Sequence, residues 1–178
     1  VPDDAPFISE LMPANVGGLY QVLTAAQRQG VSRMVIASSG QVVWGTQQQG
    51  PWPISVDEPP RPRFWYAVTK ELGEIAGRMF HREYGTDVLS VRLGACPRSR
   101  EHADEISRNE VHCDVYFSPR DAARFFASTA DVESGFGYQI VYACSRPVKR
   151  LRYDLEPLKS ILGFKPQDQW PDHMEEYW

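Results

Sequence analysis

The sequence predicts an α/β fold in which helices cover a parallel sheet. Two observations carry this prediction. Short runs of consecutive apolar residues, typical of strands buried on both faces, alternate with longer segments whose apolar residues recur at helical spacing. The resulting order of helix, strand, helix, strand, helix and strand is that of a sheet with right-handed crossovers.

The first elements along the chain are predicted from their periodicity. The acidic opening VPDDAPFISELMP shows no clear pattern and is predicted to be a loop. In ANVGGLYQVLTAAQRQG, residues 14–30, apolar side chains recur at helical spacing and Gly30 offers a stop signal. SRMVIASS, residues 32–39, is a short apolar run that predicts a buried strand.

A long loop and a second helix follow. Residues 40–63 are rich in Pro, Gly and Gln and show no period, and a loop of this length in a compact domain is usually functional. From Phe64 to Tyr84 the apolar residues again recur at helical spacing, with Gly85 as the stop. TDVLSVRL, residues 86–93, predicts the next strand.

The last part of the chain predicts shorter elements. In SPRDAARFFASTAD, Ser118 stands at the cap position, Pro119 at the first helical position and Asp121 where a capping box has Glu or Gln. The other predicted elements are a charged loop over 94–110, a brief strand over 111–117, a strand over 137–145, a helix over 154–163 and an irregular tail.

Length and composition restrict the class of protein. A chain of 178 residues is about one domain long, so residues 1–178 are predicted to form a single domain. The hydrophobic fraction of 42% and the charged fraction of 24% are those of a globular protein. A net charge of −4 offers no broad basic field for nucleic acid. No apolar run approaches the roughly 18 residues of a membrane span, and VPDDAP does not resemble a secretion signal, so a cytoplasmic location without a membrane partner is predicted.

Neither a disulfide framework nor a metal site is predicted. Cys96, Cys113 and Cys144 are odd in number and widely spaced, so they are interpreted as reduced thiols. The acidic and histidine side chains of the charged region match no zinc or EF-hand spacing; they are His102, Asp104, Glu110, His112 and Asp114.

Tyr66 and Lys70 form the clearest candidate for chemistry. Residues four apart in a helix lie on the same face, so both side chains can point to one place. A nearby ammonium group favours the phenolate, which would make Tyr66 a proton donor or acceptor for the interconversion of an alcohol and a carbonyl. Because the chain has eight tyrosines, the alternative is that the pair are mere neighbours on a solvated face.

The surroundings of this pair favour the chemical interpretation. Ser38 and Ser39 end the predicted buried strand at its carboxyl end, where open α/β sheets bind ligands. Together, the segments ANVGGLYQVLTAA, GVSRMVIASSGQVVWG, DEPPRPRFWYAVTKELGE and YGTDVLSVRLGACP resemble the extended short-chain dehydrogenase/reductases, the NAD-dependent epimerase/dehydratase family, over essentially the whole chain.

The resemblance implies a role for each matching residue. Tyr66 would be the general acid and base, and Lys70 would lower its pKa and hold the nicotinamide ribose. Ser39 would hold the substrate oxygen, Ser38 would contact the cofactor, and Asn15 would support the active site from behind. For Asn15 alone, an ordinary residue at a helix start is the alternative.

Substrate identity stays open between two branches of the family. Many sugar-nucleotide epimerases have a third Ser or Thr where this chain has Gly40, and ASS, RLGACP and VYACSRP look more like the uronate-dehydrogenase branch. That branch has Asn and His where Gly40 and Gln41 stand. Substrate contacts are predicted from Ala95 and from Arg98 or Arg100, which could hold a carboxylate; the alternative for each Arg is a solvated loop position.

The resemblance also implies an incomplete chain. The glycine-rich phosphate loop of the family, G-x-x-G-x-x-G, does not occur in these residues, so we expect the carboxyl-terminal part of such a protein. The expected fold is an incomplete Rossmann-like parallel sheet with flanking helices and a small carboxyl-terminal region on the substrate side. NAD or NADP would be the cofactor of the complete parent, and this chain alone need not bind either.

Two functions from different classes follow. In the first, the chain is part of an NAD(P)-dependent oxidoreductase or epimerase acting on a sugar or sugar-acid hydroxyl. In the second, it is a non-catalytic interaction or assembly module that binds no dinucleotide. Three strands leave one sheet edge uncovered, which invites another segment or self-association. The resemblance adds a homodimer through the helices over 14–29 and 64–84.

Overall fold

The computed structural model describes residues 4–177, which contain helices and one three-stranded sheet. The strands are β1 Arg33–Ser39, β2 Asp87–Leu93 and β3 Tyr138–Ala143. The helices are α1 Leu19–Arg28, α2 Trp44–Gln49, α3 Trp65–Tyr84, α4 Arg100–Ser107, α5 Glu110–Asp114, α6 Pro119–Asp131 and α7 Glu156–Leu162. A π-helix Phe7–Gly18 precedes α1, and 3₁₀ helices occupy Gly40–Val43 and Met174–Tyr177.

The predicted α/β class and parallel sheet are confirmed. The three strands lie in the order β1, β2, β3, so β1 is an edge strand. The Ser32 carbonyl accepts a hydrogen bond from the Asp87 N–H at 2.9 Å. Successive residues of a strand direct their backbone N–H and C=O groups to opposite sides. The backbone groups of Met34, Ile36 and Ser38 therefore point toward β2, as those of Ser32 do. The backbone groups of Ala37 and its odd-numbered neighbours therefore lie on the outer edge.

The chain forms two compact units. The first comprises residues 1–45, 59–92 and 133–140, and the second comprises 46–58, 93–132 and 141–178. Each unit draws on three separated stretches, so neither is a continuous half of the sequence. The prediction of a single partial domain stays a prediction.

The first unit is built on the contact of α1 and α3 with the sheet. Its core contains Leu23, Ile36, Phe80 and Val88, all buried. Gly77 lets α3 come close to the strands, because a Cβ there would lie 3.0 Å from side-chain carbons of Ile36 and Val88. α3 ends at Gly85, whose φ of 69° is the left-handed conformation that glycine adopts readily.

The second unit has an aromatic core. The buried Phe125 packs edge-to-face against Phe117 and Phe164, with ring centroids 6.1 and 5.9 Å apart. Tyr142 and Tyr153 stack with centroids 4.3 Å apart. Aromatic pairs of this kind add stability beyond the apolar area that they bury.

Two predicted segments are wrong. The charged loop over 94–110 contains α4, and the brief strand predicted over 111–117 begins instead as α5. Both helices begin with a side-chain cap: Ser99 Oγ accepts the His102 N–H at 3.2 Å, and Asn109 Oδ1 accepts the Val111 N–H at 3.0 Å. Short helices are stabilised by such caps, so hydrophobic periodicity misses them.

The prediction of a loop at the start of the chain is also wrong from Phe7 onward. The π-helix Phe7–Gly18 includes Pro13 and runs directly into α1, so one continuous helical segment leads to β1. Proline lacks the N–H that a helix interior needs, and its presence hid the helix in the sequence pattern. Residues 1–3 of the predicted loop lie outside the described part of the chain.

The cap predicted for α6 is half confirmed. Ser118 Oγ accepts the Asp121 N–H at 2.9 Å. The return bond of a capping box is made by another residue, because the Ser118 N–H donates to Ser145 Oγ at 3.0 Å. Asp121 is fully buried and accepts Ser145 Oγ–H and the Asp168 N–H instead. It therefore joins the start of α6 to two distant segments.

Over residues 4–177, no helix combines the length and hydrophobicity of a membrane span.

Candidate functional site

Tyr66 lies in the first turn of α3, and aromatic contacts hold this end of the helix. The ring of Phe7, from the π-helix, lies 4.6 Å from that of Trp65. The ring of Trp44 meets Phe64 edge-to-face at 5.8 Å. Since the cap residue Phe64 makes no side-chain cap bond, these rings, together with the hydrogen bonds described below, locate the helix start.

The structure brings Tyr66 and Lys70 together as predicted from their spacing. Lys70 Nζ lies 5.5 Å from the centroid of the Tyr66 ring, within the range of a cation–π contact. Both side chains are half-buried. The two groups therefore face the same way and leave part of their surface accessible.

The Lys70 ammonium also reaches the free edge of the sheet. Nζ donates a hydrogen bond to the Ala37 carbonyl at 3.1 Å. This carbonyl lies on the outer edge of β1, one residue before Ser38. Burial lowers the pKa of Lys70 below its ordinary value, because leaving water disfavours the charged form. An ammonium group has three N–H donors, so Lys70 keeps donor capacity for a ligand.

Asn15 supports the turn of α3 that carries Tyr66. Asn15 Nδ2 donates to Thr69 Oγ1 at 2.9 Å, and Thr69 Oγ1 donates to the Tyr66 carbonyl at 2.7 Å. Thr69 is buried and was not identified from the sequence. The relay agrees with support from behind, and the role of Asn15 in catalysis stays a prediction.

The two serines at the end of β1 have different surroundings. Ser39 is 8% exposed, and its Oγ accepts the Gln41 N–H at 3.2 Å, which caps the 3₁₀ helix Gly40–Val43. Ser38 is 2% exposed, and its Oγ donates to Glu74 Oε1 at 2.6 Å. The structure gives Ser38 a protein partner in the interior, and the cofactor contact predicted for it stays a prediction.

A cavity of about 500 Å³ lies in the first unit beside the edge strand. Its polar lining includes Asn15, Thr69 and Lys70, and the remainder is mainly apolar, from α1 and β1. Such a combination of an apolar wall and a few polar groups is typical of ligand sites.

The substrate residues predicted after β2 lie in the second unit. The Ala95 N–H donates to the Val115 carbonyl at 2.8 Å, so this residue is held by its backbone. Arg98 and Arg100 are exposed, and Arg100 is the first residue of α4. Their substrate contacts stay predictions.

Glu74 and Arg92 are two buried charged residues of the first unit that sequence reasoning missed. Glu74 follows Lys70 by four residues on the same side of α3, which is a signal that the sequence contained. Its partner Arg92 lies 18 positions away on β2, and no local pattern predicts that pairing. Over the described residues, no group of three or more His, Cys, Asp and Glu side chains is arranged to hold a metal ion.

Comparison with known proteins shows the family to which the chain belongs. Residues 2–100, more than half of the chain, match the model of the NAD dependent epimerase/dehydratase family. An NAD-dependent glucose-6-phosphate dehydrogenase of Haloferax volcanii is 29% identical over 175 residues, which cover 93% of this chain and 64% of that protein. A uronate dehydrogenase of Agrobacterium fabrum is 34% identical over 96 residues, or 52% of this chain and 34% of that protein.

Solved structures show the same likeness. The crystal structure of a glucuronic acid dehydrogenase from Chromohalobacter salexigens has a TM-score of 0.75 and 25% identity, covering 99% of this chain and 62% of that one. A mutated uronate dehydrogenase has a TM-score of 0.74 and 26% identity, with 99% and 60% covered. The chain thus spans 60 to 64% of the glucose-6-phosphate dehydrogenase and of these two solved structures, and its match to the uronate dehydrogenase of Agrobacterium fabrum covers 34% of that protein.

Proposed function

Since this chain belongs to the NAD dependent epimerase/dehydratase family, we propose that it is part of an NAD(P)-dependent oxidoreductase or epimerase acting on a sugar or sugar-acid hydroxyl. The observation that supports this most directly is the accessible pair of Tyr66 and Lys70 beside the carboxyl end of β1. Sugar and uronate dehydrogenases among the relatives and structural neighbours support the substrate class.

In the proposed reaction, Tyr66 moves the proton. The phenolate oxygen of Tyr66 accepts the proton of the substrate hydroxyl, and the reverse transfer returns it. Lys70 favours the phenolate by its positive charge. Ser39 Oγ holds the substrate oxygen, and Arg98 or Arg100 pairs with a carboxylate when the substrate is a sugar acid. Asn15 and Thr69 hold the Tyr66 turn.

The residues that are present fit one portion of a nicotinamide cofactor. Lys70 has N–H donors beyond its bond to Ala37, which suits the hydroxyl groups of a ribose. A bound nicotinamide would supply the hydride acceptor for the carbon that carries the hydroxyl. The proton chemistry of Tyr66 and Lys70 is the contribution of this chain.

Replacing Tyr66 by Phe in the full-length gene product tests the proposal. Removal of the phenol oxygen should lower turnover roughly 10²- to 10⁴-fold, the usual contribution of a general acid or base. Turnover is measured as NAD(P)⁺ reduction with aldoses, sugar phosphates and uronates, and cofactor affinity by nicotinamide fluorescence, which should change little. Y84F, at an exposed position of the same helix, is the matched control. Wild-type turnover in Y66F would contradict the proposal.

The second candidate, an interaction or assembly module, is favoured by the position of β1 at the edge of the sheet that the described residues form. An exposed strand edge is a template for pairing with another chain. Titration of the 178-residue chain with NADH separates the candidates. Stoichiometric binding would contradict a module that binds no dinucleotide, and no binding would contradict catalysis by this chain without further residues.

We also propose a homodimer through the helices over 14–29 and 64–84, which correspond to α1 with the end of the π-helix before it and to α3. Trp65, Leu72, Ile75 and Met79 form an exposed apolar stripe at helical spacing along α3. In the segment 14–29, Tyr20 and Val22 of α1 are 64% and 65% exposed. An apolar stripe of this kind is typical of a surface that a partner covers.

A further inference from the structure

Glu74 occupies an unusual place behind the proposed catalytic pair. It follows Tyr66 and Lys70 along one side of α3, and its side chain is buried at 4% exposure. Its Oε1 accepts the hydroxyl of Ser38 at 2.6 Å. The same carboxylate accepts Arg92 Nε at 2.9 Å and Arg92 Nη2 at 3.0 Å. The guanidinium and the carboxylate thus form a two-pronged, directional contact.

A buried ion pair of this kind contributes little net stability to a fold. Two charges lose their hydration on burial, and apolar residues of similar volume often stabilise a protein equally well or better. Arg92 is nevertheless only 1% exposed. The pair differs from apolar packing in its directionality, since two parallel hydrogen bonds permit one relative placement of helix and strand.

The backbone of Glu74 adds a third attachment. Its carbonyl accepts the Tyr138 hydroxyl at 3.0 Å. Ser38 lies on β1, Arg92 on β2 and Tyr138 on β3, so one helical residue is bonded to every strand of the sheet. Among the residues of α3 with side-chain hydrogen bonds given above, Glu74 is the one that joins the helix to all three strands.

We propose that Glu74 is a positioning residue for the Tyr66 and Lys70 pair. By binding three strands, it sets the rotation and axial position of α3, about 12 Å along the helix from Tyr66 at a rise of 1.5 Å per residue. The bond between Asn15 and Thr69 holds the other end. The helix between these attachments is rigid, so a displacement at Glu74 moves Lys70 relative to the Ala37 carbonyl. This inference rests on the proposed function for its catalytic consequence, but not for the placement of Lys70.

A double variant separates positioning from stability. E74L/R92M replaces the charged pair by apolar side chains of similar size, so the variant should fold with a Tm near that of the wild type. Its turnover in the full-length gene product should fall roughly 10- to 100-fold with little change in KM, as expected for a misplaced catalytic group. D114N, which breaks the buried pair of Asp114 and Arg152 in the second unit, is the control for a purely structural loss and should lower Tm.

A second readout does not depend on catalysis. The chain has four lysines, at positions 70, 149, 159 and 165, so ¹³Cε-lysine NMR can follow each one. In the folded wild type, the pKa of Lys70 should lie below the ordinary value of a lysine side chain because of its burial. In E74L/R92M its midpoint should move toward the ordinary value, whereas D114N should leave it in place. If the double variant does not fold, E74Q is measured by the same two readouts.

The outcomes are decisive. A folded variant whose turnover stays within about threefold of the wild type, or whose Lys70 midpoint does not move, overturns the positioning role. If the wild type itself shows no NAD(P)-dependent turnover, the proposed function fails. The Lys70 titration then decides positioning alone: a shifted midpoint supports it, and an unmoved midpoint overturns it.

Discussion

The two compact units of this protein differ in what they leave exposed. Of the fifteen large hydrophobic side chains that are exposed in the described part of the chain, twelve lie in the first unit and three, Phe126, Val148 and Leu151, in the second. Since a large exposed apolar surface is typical of an interaction site, the homodimer contact is proposed on the first unit.

Their interiors differ in a related way. In the second unit, buried carboxylates hold loops by accepting backbone N–H groups: Asp114 accepts those of Lys149 and Arg150, and Asp121 that of Asp168. In the first unit, Asp87 does the same for Gly135 and Gly137, but Glu74 instead joins side chains of different elements. Buried carboxylates thus fix loops in both units, and in the first unit Glu74 also fixes the placement of one helix.

The largest predicted effect is a loss of stability on adding a methyl group at a tightly packed glycine of the second unit. In Gly94→Ala, the new Cβ would overlap the Val115 carbonyl oxygen and meet Cys144 Cβ at 3.0 Å in the second unit. Backbone cannot yield as side chains do, so a loss of about 3 kcal/mol or more is expected in denaturant unfolding.

Gly77→Ala is the counterpart in the first unit. Its Cβ would meet side-chain carbons of Ile36 and Val88, which can move, and alanine favours the helix by about 1 kcal/mol. The net loss should stay below about 1.5 kcal/mol. Gly17→Ala, with its nearest contact at an ordinary 3.7 Å, is the control. A larger loss for Gly77→Ala than for Gly94→Ala would contradict the comparison.

An intermediate effect should appear in acid. Burial raises the pKa of Asp168, but hydrogen bonds from Ser118 and Arg124 and the charge of Arg124 lower it more, so its pKa lies below the ordinary value. A folded pKa below the unfolded one means that Asp168 stabilises the fold above about pH 4, and that this contribution is lost as the pH falls through the folded pKa.

D168N tests this sign. Arg124 would keep Asp121 but lose Asp168 as a charged partner, which should cost about 1–3 kcal/mol at neutral pH, and the difference from the wild type should shrink toward pH 3. Denaturant unfolding at several pH values measures it. D104N, at an exposed position of α4, should match the wild type at neutral pH. A difference that stays constant or grows in acid would show that another property of Asp168 is responsible.

The smallest effect on stability should accompany a clear effect on association. Ile75 is 57% exposed on the apolar stripe of α3, so I75D should change the free energy of unfolding by only about 0.5 kcal/mol. It should weaken the proposed homodimer in sedimentation velocity, because a charge would be buried in the contact. V148D, at a 43% exposed position of the second unit, should associate as the wild type does. Equal effects of the two variants would remove the distinction between the surfaces.

Much of the fold could be predicted because its signals are local. The apolar runs predicted all three strands, and the periodicity and Gly85 predicted α3 to within a residue at each end. The segments that were wrong depend on weaker local signals, namely the caps at Ser99 and Asn109 and a helix that accommodates Pro13. Caps are worth about 1 kcal/mol each, which a search for apolar periodicity does not detect.

The candidate site also has one part that local sequence signals predict and one part that depends on tertiary packing. The sequence by itself determined that Tyr66 and Lys70 share a face, because a four-residue spacing and the helix period leave no other arrangement. Only the tertiary structure decided that Thr69 connects Asn15 to this turn, that Ser38 turns inward, and that Glu74 meets Arg92. Those contacts join residues 18 to 54 positions apart, and such pairs form only when the packing of helix against sheet brings them within hydrogen-bonding distance.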